Sequence, residues 1–423
     1  MWNKFSKIFK DKDIRNNILF VLGLLAVFRV AAHIPIPGID AENLKRFFSS
    51  NQIFGLVNIF SGGAMSTFSV VALGVAPYIT SSIIFQLLNM IIPKLEAMNK
   101  DEAGRKKINQ YTRLLTVPLA FLQSYGMITI ISRSGQNIIL NLTPFSIFSM
   151  MMTMTAGTIF LMWIGELISE KKVGNGISLL IFAGIVDQLP GAMQQIILTY
   201  DRSQLVNMAT FVAIAVVTIV GVVMMNEAQR NVPVSYARRV RGNKMYGGVE
   251  THLPLRVNIA GVIPIIFAIS IILFPPLIAQ FFVGAKTAWV AGLAAWIIAV
   301  FANQLFYGIL YFVMVFGFTY FYTSIIFNPT QIAENLQKAG GFVPGIRPGQ
   351  NTANYLQYVI NRIILGGALF LGALAILPLI MQQITGLQSL VVGGTSLLIV
   401  VSVVIETVKQ VESQLLMREY EKY

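Results

Sequence analysis

The sequence contains no cysteine and only two histidines, His33 and His252, which lie far apart in the chain. Disulfide bonds, thiolate metal ligands and cysteine nucleophiles are therefore excluded, and the two histidines lack the spacing of a metal-binding pair. The HExxH, GxSxG and GxxxxGK[ST] motifs of zinc proteases, many serine hydrolases and P-loop ATPases are also absent. We therefore expect a protein that is not an enzyme and that uses no metal or other cofactor.

Charged residues are scarce, at 12% of 423 residues, whereas apolar residues make up 55%. A soluble protein averages about 25% charged residues, and so few charges would not cover the surface of a soluble protein of this size. The composition predicts a polytopic membrane protein instead, with apolar runs that cross about 30 Å of hydrocarbon. The net charge of +13 is the excess expected where Lys and Arg hold loops on the cytoplasmic side.

Ten apolar segments are long enough to be transmembrane helices, and they are approximately 17–34, 68–92, 114–132, 145–168, 177–199, 205–226, 257–283, 298–327, 359–383 and 388–408. Of the 31 Lys and Arg residues, 25 fall in loops on the side of the N-terminus and five in the opposite loops. This asymmetry predicts that both termini are cytoplasmic.

Three features of the predicted spans lead to further predictions. The run 288–327 is too long for one helix, so we expect an interfacial part, with Trp289 and Trp296, followed by a span. Residues 53–67 are apolar but broken at Gly62 and Gly63, which favours a short half-helix before the second span. Arg29 falls inside the first span, where it could snorkel outward or pair locally.

The predicted organisation is a basic N-terminus at 1–16, an N-terminal half at 17–200, a C-terminal half at 201–408 and a cytoplasmic tail at 409–423. Two cytoplasmic loops, 227–256 and 328–358, are 30 and 31 residues long, and a loop longer than about 12–15 residues is usually functional or disordered. They are also basic, and their candidate docking residues are Arg230, Arg238, Arg239, Arg241, Lys244 and Arg347. A docking surface for a cytoplasmic partner explains this length better than topology charge alone, which stays the alternative.

Two short motifs recur in the same order in the two halves. Residues 74–77, Gly-Val-Ala-Pro, match residues 261–264, Gly-Val-Ile-Pro, and the Gly-x-Ser-Leu-Leu-Ile run at 176–181 recurs at 394–399. The second and fifth spans therefore pair with the seventh and tenth, which predicts two five-helix halves of opposite orientation. Inverted repeats place the functional path at the interface between the halves, and prolines or glycines in these helices favour kinks there.

Few charges lie inside the predicted spans, since Glu166, Asp187 and Glu406 fall near span ends. An ion-coupled transporter usually needs charged groups within the membrane, so the pattern favours a passive, apolar path. A secondary transporter for a small solute shares inverted repeats and broken helices, and it remains the alternative reading of the residues.

Several longer stretches of sequence identify a family more specifically than these short motifs do. They are residues 60–64, 72–84, 251–264, 328–329, 342–349 and 393–399. With these strings the chain closely resembles the SecY family, the channel subunits of the bacterial protein translocase, from about residue 10 to residue 420. The resemblance implies an all-α membrane protein of ten helices, arranged as a clamshell of two inverted halves around an hourglass pore. It also implies a plug half-helix and a lateral gate between the second and third and the seventh and eighth helices.

The resemblance assigns the pore ring residue by residue, to Ile79, Ile83, Ile177, Ile181, Ile266 and Ile399. The internal repeat independently aligns Ile79 with Ile266 and Ile181 with Ile399. The resemblance places the plug at about 54–67, with Phe54, Leu56, Val57, Ile59, Phe60, Gly62, Gly63 and Met65. From composition alone, the isoleucines would be read as core or lipid-facing residues.

The partners implied by the resemblance are the small membrane subunits SecE and SecG, the SecA ATPase, the ribosome, signal peptides, unfolded polypeptides and membrane lipid. A channel of this kind has no motor of its own, so SecA or the translating ribosome would supply energy by docking on the two long loops. The implied location is the bacterial plasma membrane, which the protein crosses several times.

Overall fold

The computed structural model describes residues 11–40, 42–44, 61, 63–132, 138–139, 143–198, 205–236, 239–241, 244–246, 250–385 and 391–421. In these parts of the chain the helices are α1 (Lys12–Ala32), α2 (Ala76–Ile91), α3 (Pro93–Lys100), α4 (Glu102–Ser132), α5 (Pro144–Glu170), α6 (Gly176–Leu198), α7 (Leu205–Glu227), α8 (Ile263–Phe282), α9 (Ala288–Ala302), α10 (Gln304–Ile326), α11 (Pro329–Lys338), α12 (Gln350–Thr385) and α13 (Val391–Glu421). The fold is thus mostly helical.

Each of the ten predicted spans overlaps one of these helices. Within the described residues, six helices are long and apolar enough to cross a bilayer, and they are α1, α4, α5, α8, α10 and α12. The pair α2 and α3 bends by 109° and makes a seventh if it is counted as one span. The structure therefore has the character of a polytopic membrane protein, while the full ten-span topology stays a prediction.

The expectation of an all-α protein is wrong in one respect, because the two long loops contain strands. These are β1 (Gln229–Tyr236), β2 (Arg239–Arg241), β3 (Lys244–Tyr246), β4 (Glu250–Arg256) and β5 (Gly341–Phe342). They form a three-stranded antiparallel sheet in the order β4-β1-β5 and a separate β2-β3 pair. Polar loop sequence gives little indication of short strands, and the signal here is limited to Val232 and Val234, which alternate with exposed neighbours as in a strand with one buried face.

The repeated Gly-Val-x-Pro motif starts helices rather than kinking them. Gly74 and Gly261 have φ of 57° and 63°, in the left-handed region where glycine is favoured. The next residues, Val75 and Val262, are the N-caps of α2 and α8, and a proline follows in the first turn of each helix. Proline is tolerated there because the first helical N–H groups have no partner within the helix.

This geometry corrects the predicted starts of the second and seventh spans. Residues 68–75 form turns ahead of α2, and α8 begins at Ile263 rather than near residue 257. Residues 74–77 and 261–264 therefore adopt the same backbone conformation, in agreement with their repeat in sequence.

The long apolar run 288–327 divides as expected, but the break lies at Asn303. Its side chain accepts hydrogen bonds from the N–H groups of Leu305 and Phe306 at 3.0 and 3.2 Å, and so caps α10. The preceding helix α9 carries Trp289 and Trp296, whose side chains are exposed, as is common for tryptophans at a membrane interface.

In the part of the chain that the structure describes, three apolar clusters form the core. The largest draws buried residues from both halves, including α1, α2, α6, α8, α10 and α13. A second lies between α4, α5 and the turns before α2. The third packs Val232 and Leu255 of the sheet against Leu356, Val359 and Ile360 of α12, and so fixes the sheet to that helix.

Candidate pore and docking surface

Among the described residues, the repeated helices of the two halves pack against each other along two seams. On one side α8 contacts α2 and α4, and on the other α13 contacts α6. The helices of the repeat therefore pack against each other across the interface, the second span against the seventh and the fifth against the tenth. This is the position at which an inverted repeat places its functional path.

Five isoleucines of the predicted ring are buried members of the apolar cluster that spans both halves, and the sixth, Ile177, packs against that cluster. Ile79 and Ile83 lie one helical turn apart on α2, and they are 8% and 4% exposed. Their counterparts on α6, Ile177 and Ile181, are half-buried and 1% exposed. Ile266 of α8 and Ile399 of α13 are also buried. Four helices, two from each half, thus direct these side chains into shared apolar surroundings.

An apolar cavity of about 710 Å³ lies beside Ile83 at the seam between α2 and α8. Its walls come from three helices: Thr80 to Leu87 on α2, Ser270 to Phe282 on α8 and Trp289 to Ile297 on α9. Among the described residues, no charged side chain lines this cavity.

Most of the predicted plug falls outside the described residues: Phe54, Leu56, Val57, Ile59, Phe60 and Gly62. The two described members lie at the start of the turns that precede α2. Gly63 has a φ of 80°, and the side chain of Met65 is 5% exposed. Neighbouring Ala64 is fully buried in the cluster that also contains the ring isoleucines.

The two long loops form one unit, because β5 of the second loop pairs with β1 of the first. Ser235 lies opposite Phe342, and Tyr236 lies opposite Gly341. A side chain at Gly341 would approach the ring of Tyr236 to 3.1 Å, so the strands meet closely there. The predicted docking residues Arg230, Arg239, Arg241 and Lys244 all lie on the strands β1 to β3, while Arg238 lies outside the described residues.

Arg347 occupies an exposed turn that is fixed on both sides. Gly345 and Gly349 have φ of 80° and 96°, and Ile346 packs against the cluster beneath the sheet. The carbonyl oxygen of Arg347 accepts a hydrogen bond from Thr352 at 3.0 Å. The exposed Arg347 side chain is therefore presented outward on a rigid support.

Two features of the site escaped sequence reasoning. The pairing of β5 with β1 gives no signal in the sequence, because a strand of two residues is too short to show hydrophobic periodicity. The partner of Arg29 was also missed: its guanidinium pairs with Asp187, which lies near the middle of α6 and not near the end of a span as expected. Single charges in apolar helices are the available signal for such a pair, but the sequence does not show which helices are neighbours.

Comparisons with known proteins agree with this geometry. The SecY family model matches residues 69–408. The chain is 43% identical over 441 residues to the protein translocase subunit SecY of Streptomyces scabiei and 42% identical over 443 residues to that of Mycobacterium bovis, and each match covers 100% of both proteins.

Solved structures of channel proteins share the fold. The structure titled "The structure of a protein conducting channel" gives a TM-score of 0.65 at 18% identity, covering 93% of this chain and 90% of the other. Sec61 in the canine ribosome-channel complex from the endoplasmic reticulum gives a TM-score of 0.61 at 18% identity, with the same coverage.

Proposed function

The chain belongs to the SecY family and is a protein-conducting channel, and we propose that Ile79, Ile83, Ile177, Ile181, Ile266 and Ile399 form its constriction. The observation that carries this proposal is the shared apolar cluster, in which isoleucines from α2, α6, α8 and α13 meet across both seams. The alternative, a secondary transporter for a small solute, has no support in the comparisons.

The chemistry of isoleucine suits this task. A channel for unfolded chains must pass every type of side chain, so its narrowest part should bind none of them strongly. Isoleucine offers no hydrogen bond, and its β-branch restricts the side chain to few rotamers. An empty narrow ring of this kind disfavours water and ions, as hydrophobic constrictions do in gated channels. The same side chains therefore seal the resting channel and tolerate a moving polypeptide.

The seam where α8 contacts α2 and α4 is proposed as the lateral gate. Separation along this seam would open the channel toward lipid, so that apolar segments of a membrane protein could leave sideways. The apolar cavity between α2, α8 and α9 adjoins this seam. Signal peptides and membrane lipid are the partners expected there. The segment 54–67 is proposed as the plug.

The sheet β4-β1-β5, the β2-β3 pair and the Arg347 turn are proposed as the docking surface for SecA or the ribosome, with Arg230, Arg238, Arg239, Arg241, Lys244 and Arg347 as its basic residues. Arginine suits both partners, because its planar guanidinium can form paired hydrogen bonds with carboxylates or phosphates. The small subunits SecE and SecG would complete the complex in the bacterial plasma membrane, with both termini of this chain cytoplasmic. The ion pairs of Arg418 with Asp11 and Asp13 support the shared side of the termini.

The decisive experiment is translocation by the purified channel. The chain is reconstituted with its small membrane subunits in proteoliposomes, and SecA, ATP and a precursor protein are added. The expected result is precursor inside the vesicles that is protected from protease. Vesicles reconstituted with the Arg347→Glu channel are the matched control. Solute uptake without precursor translocation would favour the transporter and would reject the proposed function.

A further inference from the structure

Arg29 and Asp187 form an ion pair between α1 and α6 within the predicted spans. The Arg29 side chain is 19% exposed and that of Asp187 is 44% exposed. Charged groups at membrane depth are costly, and they commonly mark a functional position. The pair therefore requires a reason beyond holding two helices together, since apolar residues of similar volume often stabilise such a contact equally well.

The same two helices hold the turns that precede α2, which we call the turn segment, residues 63–75. On the side of α1, Thr67 donates a hydrogen bond to the carbonyl oxygen of Ala32 at 3.0 Å. The N–H of Val70 donates to the carbonyl oxygen of Ile34, just beyond α1, at 3.0 Å. The turn segment is thus attached to the end of α1 by hydrogen bonds.

On the side of α6, the turn segment meets the residue next to Asp187. A Cβ atom built on Gly63 would lie 3.5 Å from Nε2 of Gln188, so the backbone of the turn segment rests against that amide. The spacing between α1 and α6 therefore determines whether both attachments can form at once. The Arg29 and Asp187 side chains connect these helices near both attachments.

We propose that the Arg29–Asp187 ion pair positions α1 against α6 and thereby holds the turn segment against the closed channel. Both residues are positioning residues, which act through the attachments of the turn segment and not by contact with a moving polypeptide. Loss of either charge removes the Coulomb attraction between α1 and α6, so the two helices can then shift apart. The inference rests on the proposed function, because it assigns this pair to the seal of that channel.

The test compares resting ion conductance of purified channels in planar bilayers. We expect Asp187→Asn and Arg29→Gln each to raise the conductance by roughly tenfold, and the exchanged double variant Arg29→Glu/Asp187→Arg to return it toward the parent value. The control is Glu166→Gln, which breaks the 2.5 Å ion pair of Glu166 with Arg113 between α5 and α4. This control should conduct like the parent, and an equal rise in it would overturn the proposal.

A second measurement follows the turn segment directly. Because the chain has no cysteine, Ser66→Cys introduces a single thiol whose modification by a water-soluble maleimide reports the exposure of that segment. We expect faster modification when Asp187→Asn is added. A higher conductance with an unchanged modification rate would place the effect elsewhere and reject the proposal.

A third variant covers the case in which the single charge variants fail to assemble. Gln188→Ala keeps the ion pair and removes the amide that meets Gly63, so it should raise the conductance and the Ser66→Cys modification rate. Parent-like values in this variant would overturn the proposal. Precursor translocation by the parent channel is measured in parallel, so that failure of the proposed function is seen separately from failure of this inference.

Discussion

Arg418, near the end of the last helix, donates a hydrogen bond to the carboxylate of Asp11, the residue that caps the first helix, at 3.1 Å. The same carboxylate oxygen of Asp11 accepts from the N–H groups of Asp13 and Ile14 at 3.1 and 3.3 Å. Arg418 also contacts Asp13 at 2.6 Å. One carboxylate thus starts α1 and attaches it to the end of α13, so the two ends of the described chain lie together.

Replacing Asp11 should therefore remove a helix cap and an ion pair together. We expect Asp11→Ala to lower the free energy of unfolding by about 1–2 kcal/mol, mostly through the lost cap. Asp13→Ala is the matched control, because its side chain is 69% exposed and an exposed ion pair contributes about 0.2–1 kcal/mol. Denaturant titration of both variants in detergent gives the comparison, and an equal loss in both would contradict the capping role.

Polar substitution in the ring should hydrate the constriction. We expect Ile83→Asn and Ile399→Asn to raise resting ion conductance and to allow translocation of precursors with defective signal sequences, because an amide favours water where an alkyl group does not. The control is Ile309→Asn, since Ile309 is 59% exposed on α10. Conductance and signal-sequence selectivity like the parent in both ring variants would reject the ring assignment.

Charge reversal at Arg347 should block docking without affecting the fold, because the side chain is exposed while its turn is held by Ile346 and Thr352. We expect Arg347→Glu to abolish SecA-driven precursor translocation and Arg347→Lys to reduce it, since lysine cannot form the paired hydrogen bonds of a guanidinium. Lys338→Glu makes the same charge change at another exposed position and should retain most activity. Translocation by Arg347→Glu at the parent rate would remove Arg347 from the docking surface.

Close packing at Gly157 should make it intolerant of any side chain. A Cβ atom there would lie 2.0 Å from the carbonyl oxygen of Val70, so α5 or the turn segment would have to move. We expect Gly157→Ala to lower the free energy of unfolding by about 1–3 kcal/mol, as is typical when a packed core receives an extra methyl group. Gly292→Ala is the control, because nothing lies within 4 Å of its Cβ position. Thermal unfolding in detergent distinguishes the two, and equal midpoints would contradict this packing.

The positions of the helices were largely predictable, because long apolar runs determine where helices lie in a membrane protein. Asn303 shows the limit of that approach. The predicted span begins at residue 298, a few residues before α10 begins at Gln304, because a window of about 18 residues averages out the two polar residues Asn303 and Gln304 that mark the boundary. Pro77 and Pro264 show the same limit, because a proline in an apolar run is compatible with a kink or with a first turn.

The candidate site was less predictable than the helices. The spacing of Ile79 and Ile83 indicates that they share one face of a helix, but which helices face each other depends on tertiary packing. The assignment of residues to the ring therefore rests on the resemblance to a family, and the internal repeat supports part of it. Contacts between distant parts of the chain, such as Arg29 with Asp187 and Tyr236 with Gly341, depend on tertiary packing and leave no pattern in the sequence.

The helix that supports the sheet has a mechanical consequence. With 36 residues, α12 is about 54 Å long, whereas the hydrocarbon core of a bilayer is about 30 Å thick. The remaining turns extend beyond the hydrocarbon as a rigid helix. The sheet packs against these turns through Leu356, Val359 and Ile360. Force applied to the sheet is therefore delivered along a continuous rod into the packed pair of α10 and α12, and little of it is lost in bending a flexible loop.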